Sequence, residues 1–266
     1  MIRSLAEMMG WDKPSRPAKR VRLSLDLSDA VVYAIGDVHG CYDALVALER
    51  KIVADAAKLA GRKVMILLGD YVDRGPNSSR VLDHLLEPPP EGFERICLAG
   101  NHEMLMLDAV DGSLSLQEWA QMGGAPTLRS YGIDYTHMIQ MLAPGERLAL
   151  LRRQVPQEHV DFLRGLPILI DAKSHLFVHA GIRPGLPIEA QSDRDLMFIR
   201  SEFYDQAHLL KSWVVHGHTP VARAGLEGRR LNLDTGAFQS GRLTAARISG
   251  KGGRILSVTV PAATSS

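Results

Sequence analysis

Short apolar runs recur along this chain of 266 residues, and a group of polar residues follows each of them. The runs are VVYAIG at 31–36, VMILLG at 64–69, ICLAG at 96–100, LFVHAG at 176–181 and WVVHGHT at 213–219. Runs of this length that are rich in Val, Ile and Leu predict buried β-strands. We therefore expect five buried strands, each of which ends in polar residues.

Two of the intervening segments have the spacing of an amphipathic helix. In residues 42–60 the apolar side chains fall at 45, 48, 52, 53, 56 and 59, and residues 80–87 show the same period before a run of prolines. Strands that alternate with helices predict βαβ units, an α/β fold and a largely parallel sheet. Polar groups in such sheets gather outside the carboxyl ends of the strands. We therefore expect the polar residues of all five runs to meet at one edge of one sheet.

The remaining segments predict a helical insertion and a β-rich end. Residues 102–165 have mostly helical patterns with breaks at 122–126 and 142–146, and we place the insertion at about 104–165. From residue 228 onward, RRLNLDTG, GRLTAARI and RILSVTV alternate apolar with polar residues. This alternation predicts antiparallel strands that complete a second sheet.

These elements set the expected domain organisation. We predict a single catalytic domain at 28–261 and a short tail at 262–266. Residues 1–27 are basic and contain two prolines, so we interpret them as a poorly ordered arm. A docking segment is the alternative interpretation of this arm.

Composition and charge narrow the class of protein. Hydrophobic residues make up 45% and charged residues 23%, which is typical of a soluble globular protein. The net charge of +1 creates no field that would favour nucleic acid or an anionic membrane as a partner. Cys41 and Cys97 are too few for a disulfide framework, and no apolar stretch approaches the roughly 20 residues that span a bilayer. We therefore expect a cytoplasmic protein without a signal peptide.

The polar strand ends carry two carboxylates, three imidazoles and one amide: Asp37, His39, Asp70, Asn101, His179 and His218. Carboxylate oxygens and neutral imidazoles are ligands of divalent transition metals, and the lack of cysteine argues against structural zinc. Six ligands exceed what one ion with an open position needs, but they suit two ions that share a carboxylate. The other histidines, at 84, 137, 159, 175, 208 and 216, are interpreted as structural.

The order of the motifs resembles that of a known family. GDVHG at 36–40, GDYVDRG at 69–75 and GNHE at 100–103 are similar to the signature of the PPP-type phosphoprotein phosphatases, within the calcineurin-like metallophosphoesterases. HAG at 179–181 and HGH at 216–218 match the two remaining metal-ligand motifs, and the resemblance covers residues 31–250. The resemblance implies a β-sandwich flanked by helices, with a two-metal site between the sheets, and it favours the bacterial branch.

The resemblance also implies a role for each motif residue. Asp37 and His39 would hold the first ion and Asp70 would bridge both, while the second ion would be completed by Asn101, His179 and His218. Manganese is the expected metal, and iron, zinc or cobalt would fit the same nitrogen and oxygen ligands.

The resemblance also implies which residues carry out catalysis and phosphate binding. His102 would protonate the leaving oxygen and Asp73 would orient it. Arg74 would bind the phosphate oxygens together with Asn101 and Arg200. Arg200, in DLMFIRSEF, has the weakest match, and a surface arginine is the alternative there.

The activity expected from this resemblance is hydrolysis of a phosphate monoester by water activated between two metal ions. A protein phosphatase that acts on phosphoserine or phosphothreonine is the first interpretation, and phosphotyrosine stays open. Asp73 and Glu103 favour it over the alternative, a symmetrical diadenosine tetraphosphate hydrolase. A non-catalytic binding module would require the loss of His102 or Asp73, and both are present.

Overall fold

Two β-sheets pack face to face in the structure, a computed structural model that describes residues 19–250 and 252–261. The strands in chain order are β1 (Arg22–Ser24), β2 (Ala30–Ile35), β3 (Arg62–Leu67), β4 (Phe93–Cys97), β5 (Leu169–Ala172), β6 (His175–Val178), β7 (Trp213–His216), β8 (Gly225–Glu227), β9 (Arg230–Asn232), β10 (Arg242–Ser249) and β11 (Gly252–Thr259).

The first sheet has the order β11-β10-β2-β3-β4. Strands β2, β3 and β4 are parallel, as the βαβ pattern predicts. Strand β10 pairs antiparallel with β2 and with β11. The prediction that GRLTAARI and RILSVTV complete the second sheet is therefore wrong. Alternation indicates one buried face, but it carries no information about which strand lies alongside.

The second sheet has the order β1-β5-β6-β7-β9-β8. Its first strand corrects the predicted arm, because Arg22–Ser24 pairs in parallel with β5. Arg20, just before it, donates hydrogen bonds to the carbonyls of Leu163 and Leu166, at 3.0 Å each. The basic residues at 20 and 22 are thus part of the domain, whereas residues 1–18 of the predicted arm lie outside the described residues.

A shared core lies between the two sheets. Val32, Ala34 and Ile66 of the first sheet pack in one cluster with Phe177 and Val215 of the second. The alternate residues of β2 and β3 face the other way and pack against helices. Strands covered on both faces must be apolar at every position, which explains the uninterrupted runs in the sequence.

Helices cover the outer faces of both sheets. They are α1 (Tyr42–Ala56), α2 (Ser78–Leu86), α3 (Asn101–Asp111), α4 (Leu116–Trp119), a π-helical turn (Ala120–Gly124), α5 (Ala125–Ser130), α6 (Tyr135–Met141), α7 (Pro144–Gln154), α8 (Gln157–Gly165), α9 (Asp193–Phe198), α10 (Ser201–Asp205) and α11 (Ala237–Ser240), with 3-10 turns at Ile188–Ala190 and Ala207–Leu209. Helices α3 to α8 form the expected helical segment. Within the described ranges, no helix is long and apolar enough to cross a membrane.

Candidate active site

The candidate site forms where strand ends of both sheets meet. Asp37, His39, Asp70 and Asn101 follow strands of the first sheet, and His179 and His218 follow β6 and β7 of the second. The expectation of a single sheet edge is therefore wrong. The core between the sheets aligns the carboxyl ends of β2 to β4 with those of β6 and β7, so all six side chains enter one region.

Asp70 lies at the centre of this region. Its Oδ2 atom is 3.4 Å from Nε2 of His39 and 3.4 Å from Nε2 of His179. The site contains two groups whose possible ligand atoms lie within 4.8 Å of one another, and Asp70 belongs to both: His39, Asp70 and His102; and Asp70, His179 and His218. A shared carboxylate between two clusters is the arrangement that two neighbouring metal ions require.

The protonation of the imidazoles shows that they fit a cation. Nδ1 of His39 lies 2.8 Å from the carbonyl of Val72, and Nδ1 of His179 lies 3.0 Å from that of Leu68. Each Nδ1 must therefore carry the proton and donate it, which leaves the Nε2 lone pair directed at Asp70. Burial also lowers the pKa of His39 to about 3, so its ring is neutral.

The remaining predicted ligands lie around the same point. Oδ1 of Asn101 and Nδ1 of His218 are 3.0 Å and 3.1 Å from Nε2 of His179. Oδ2 of Asp37 accepts a hydrogen bond from the backbone amide of His218 at 3.0 Å. Acceptor atoms that face each other this closely repel unless a cation lies between them, so these residues fit divalent metal ions.

The buried charges of the site also call for a cation. Burial, together with the charges of Asp234 and Asp70, raises the pKa of Asp37 well above its ordinary value. Burial also acts to raise the pKa of Asp70, but this carboxylate is surrounded by imidazoles, and its pKa lies below its ordinary value. Among the residues that the structure describes, buried atoms without a hydrogen-bond partner include Oδ1 of Asp37 and Nε2 of both His39 and His218.

His102 has a different environment from the other imidazoles. Its Nδ1 atom lies 2.8 Å from Oδ2 of Asp73, and its Nε2 atom is buried and unpaired within the described structure. Burial opposes the imidazolium, but the charge of Asp70 and the hydrogen bond to Asp73 raise the pKa of His102. Because Nδ1 faces Asp73, Nε2 is the ring atom left to donate a proton or to bind a metal, and His102 lies within one of the two ligand groups. The geometry suits a proton donor.

Two residues that the sequence motifs did not indicate hold Asp73 in place. Trp119 donates from Nε1 to Oδ2 of Asp73 at 3.0 Å, and Thr127 donates from Oγ1 to Oδ1 at 2.8 Å. Both come from the helical insertion, which therefore supports the site directly. No local pattern in residues 104–165 could have identified them, because each acts through one long-range contact.

Thr127→Val is expected to lower the free energy of unfolding by about 2 kcal/mol, because it removes a nearly isosteric hydroxyl that donates to a buried carboxylate. Chemical denaturation with urea measures the change. Thr259→Val, on the exposed face of β11, is the matched control and should alter stability by less than about 0.5 kcal/mol. Equal effects of the two substitutions would contradict the role of Thr127.

The two arginines that are expected to bind phosphate, Arg74 and Arg200, both have contacts near the metal-ligand motifs. The Arg74 guanidinium carbon is 5.0 Å from the centre of the Phe238 ring, and its backbone amide donates to the carbonyl of Gly123 at 2.9 Å. Arg200 donates from Nη1 to Oγ1 of Thr219 at 3.0 Å, next to a metal-ligand motif. Burial is the main cause that lowers the pKa of Arg200, and the nearby positive charge of Arg74 also lowers it. The structure thus brings both arginines to the site.

Backbone strain is concentrated at the site. Positive φ angles between 44° and 69° occur at five of its non-glycine residues: His39, Asp70, Asp73, Arg74 and His218. Each such residue costs about 1–3 kcal/mol and persists only where surrounding contacts impose it. One such contact is the hydrogen bond from the His39 amide to the Asp70 carbonyl, at 2.7 Å. The strain directs five functional side chains into one small volume.

Glu103 imposes much of this strained geometry. Its carboxylate accepts hydrogen bonds from the backbone amides of Asp70 at 2.8 Å, Tyr71 at 2.7 Å and Gly100 at 2.8 Å. The side chain is completely buried. Glu103 therefore holds the GDYVDRG loop against the start of α3, and it does not line the space that a substrate would occupy.

The five sequence motifs lie within a region that matches a known protein family. The profile of a family described as calcineurin-like phosphoesterase matches residues 30–240, a range that contains all five of them. An asymmetrical bis(5'-nucleosyl)-tetraphosphatase, PrpE of Bacillus velezensis, is 25% identical over 235 residues, which is 80% of this chain and 87% of that protein.

Two solved structures, whose descriptions name different activities, share the fold of this chain. The crystal structure of a candidate diadenosine tetraphosphatase has a TM-score of 0.63 at 22% identity and covers 90% of this chain and 97% of its own. A cold-active protein-tyrosine phosphatase of a psychrophilic Shewanella species has a TM-score of 0.55 at 19% identity, with 88% and 82% covered. At these identities the two structures establish the fold alone.

Proposed function

This chain belongs to the calcineurin-like phosphoesterase family, and we propose that it hydrolyses a phosphoanhydride bond of bis(5'-nucleosyl) tetraphosphates. The observation that carries the substrate class is the similarity to PrpE over 80% of the chain. It supports the dinucleotide alternative over the protein phosphatase that the motifs favoured. That relative is named as an asymmetrical enzyme, which cleaves the tetraphosphate into unequal parts. The expected products are therefore a nucleoside triphosphate and a monophosphate, and not the two diphosphates of symmetrical cleavage.

The structure explains why the motif residues favoured the other substrate. In the motif GNHE, Glu103 favours a protein phosphatase, yet among the described residues its carboxylate accepts hydrogen bonds only from backbone amides of the neighbouring loops. Asp73 acts through His102. A residue that positions a loop serves any phosphate ester equally, so Glu103 does not report on the substrate.

The proposed reaction uses the residues in distinct roles. Asp37, His39, Asp70, Asn101, His179 and His218 would hold two divalent ions, with manganese expected and iron, zinc or cobalt also suited. Such ions offset phosphate charge and lower the pKa of water. Arg74 and Arg200 would bind the oxygens that gain charge in the transition state. His102, oriented by Asp73, would donate a proton from Nε2 to the leaving oxygen.

A phosphoprotein phosphatase is the second candidate, and one specific observation favours it. The 2.8 Å contact between His102 and Asp73 builds a strong proton donor. A serine or threonine alkoxide needs such a proton when it leaves, whereas a departing nucleotide phosphate is a much weaker base. Cleavage of a dinucleotide therefore needs a proton donor much less than cleavage of a phosphoserine or phosphothreonine does.

A parallel assay separates these two functions. The protein, loaded with manganese, is given diadenosine tetraphosphate and, separately, phosphoserine, phosphothreonine and phosphotyrosine peptides. Anion-exchange chromatography then identifies the nucleotide products. Higher kcat/KM for the dinucleotide, with ATP and AMP as products, supports the proposal. Two molecules of ADP would contradict the asymmetrical cleavage, and a preference for a phosphopeptide would replace the proposal by the second candidate.

Glu103→Asp should reduce kcat/KM for the dinucleotide and for a phosphopeptide by the same factor. The shorter side chain cannot reach all the amides of residues 70–72, so we also expect about 2 kcal/mol less stability. Steady-state kinetics on both substrates and urea denaturation measure these effects. Glu91→Asp, in an exposed loop, is the control. A change of more than about tenfold in the substrate ratio would restore Glu103 as a specificity residue.

A further inference from the structure

Asp234 is a buried carboxylate that neither the motifs nor the proposed mechanism uses. It follows β9 in the LNLDTG segment and is 1% exposed. Its Oδ1 atom accepts a hydrogen bond from the amide of Gly236 at 2.9 Å. Its Oδ2 atom is buried and has no hydrogen-bond partner among the described residues. A half-satisfied carboxylate in this position needs a cation nearby.

Close packing of two strand ends places Asp234 beside Asp37. A Cβ atom on Gly36 would lie 2.2 Å from the carbonyl oxygen of Leu233 and 3.2 Å from the amide nitrogen of Asp234. Only glycine permits this approach. The backbone that leads from β2 to Asp37 therefore touches the backbone that leads from β9 to Asp234, and the two carboxylates are close enough for the charge of Asp234 to act on Asp37.

The charges around this pair indicate which kind of cation is missing. Asp37 and Asp234 each have one unpaired buried oxygen within the described structure. The charges of Arg74 and Arg200 act on Asp234 from a distance, while Arg74 packs on Phe238 and Arg200 donates to Thr219. Neither guanidinium forms a hydrogen bond to Asp234 in the part of the chain that is described. A metal ion is the cation that both carboxylates can share.

We propose that Asp234 is an additional residue of the metal centre, with Oδ2 directed at the ion on the Asp37 side. The charge balance supports this assignment, because Asp37 and Asp70 alone would offset only half of the charge of two divalent ions. A third carboxylate brings the buried centre closer to neutrality. The proposal holds for any phosphate ester substrate, so it does not depend on the dinucleotide assignment.

Manganese titration of metal-free protein by calorimetry tests the proposal without an activity measurement. Asp234→Asn keeps the size of the side chain and an acceptor for Gly236. It should weaken binding at one of two sites by about 10- to 100-fold and leave the other unchanged. Asp171→Asn, at a strand end outside the site, is the matched control and should leave both affinities unchanged. Asp234→Ser provides a second variant if the first fails to fold.

A double substitution with Asp37 sharpens this test. If both carboxylates serve the same ion, Asp37→Asn combined with Asp234→Asn should weaken that site by an amount that differs from the sum of the single effects. Unchanged manganese affinities in both Asp234 variants would overturn the proposal. Unchanged metal affinity with weaker binding of inorganic phosphate would also overturn it, and would place Asp234 with the phosphate-binding arginines instead.

Discussion

Asp70→Asn is expected to lower kcat/KM by about 1,000-fold or more for every phosphate ester that the protein hydrolyses. Among the residues that the structure describes, Asp70 is the carboxylate shared by both ligand groups, it lies 3.4 Å from His39 and from His179, and it is almost fully buried. Asparagine retains the shape but removes the charge that two cations would share. Loss of about 4 kcal/mol of charge stabilisation corresponds to this factor. Initial rates with saturating manganese measure it.

The same variant should also lose metal. Elemental analysis after dialysis is expected to find two ions for each native molecule and at most one in Asp70→Asn. Asp171→Asn provides the control for removal of a carboxylate at a strand end outside the site. Circular dichroism checks that the variant is folded. A variant that retained both ions and near-native rates would show that Asp70 is not the bridging ligand.

His102→Asn should have an effect that depends on the leaving group. For a phosphoserine peptide, loss of the proton donor should reduce kcat by about 100- to 10,000-fold. For p-nitrophenyl phosphate, whose leaving group is stable without a proton, the loss should be at least about tenfold smaller. Diadenosine tetraphosphate should resemble p-nitrophenyl phosphate, because a phosphate also departs readily as an anion.

Metal content distinguishes the two roles that His102 could have. A proton donor held by Asp73 should be removable without loss of either ion, although His102 lies in one of the ligand groups. Elemental analysis of His102→Asn should therefore match the native protein. If the variant lost an ion, or if all three substrates slowed by the same factor, His102 would be a metal ligand and the proton would come from elsewhere.

The elements that depend on local pattern were predictable from the sequence. The run VMILLG is apolar at every position because the sheet core covers one face of β3 and helices cover the other. The family match to residues 30–240 confirms the resemblance drawn from the motifs. Motifs of this kind are visible because the functional residues lie within a few positions of a strand end.

The supporting contacts were not predictable in the same way. Trp119 and Thr127 are 46 and 54 residues away from Asp73, and no short pattern marks them. Asp234 did have a signal, since it stands shortly after a strand, as Asp37 and Asp70 do. The family resemblance assigns no ligand to that segment, so the motifs alone do not identify Asp234.

The sequence by itself determined the five apolar strands that end in motif residues, the helical insertion, the motif residues and the family. Only the tertiary structure decided that β10 and β11 join the first sheet, that residues 22–24 form a strand, and that His179 and His218 approach Asp70 from a second sheet. The physical reason is that periodicity records how each segment is buried but not which segment buries it. Strand pairing and the meeting of the two sheets depend on contacts summed over the whole core, and these contacts bring the other five candidate ligands to Asp70.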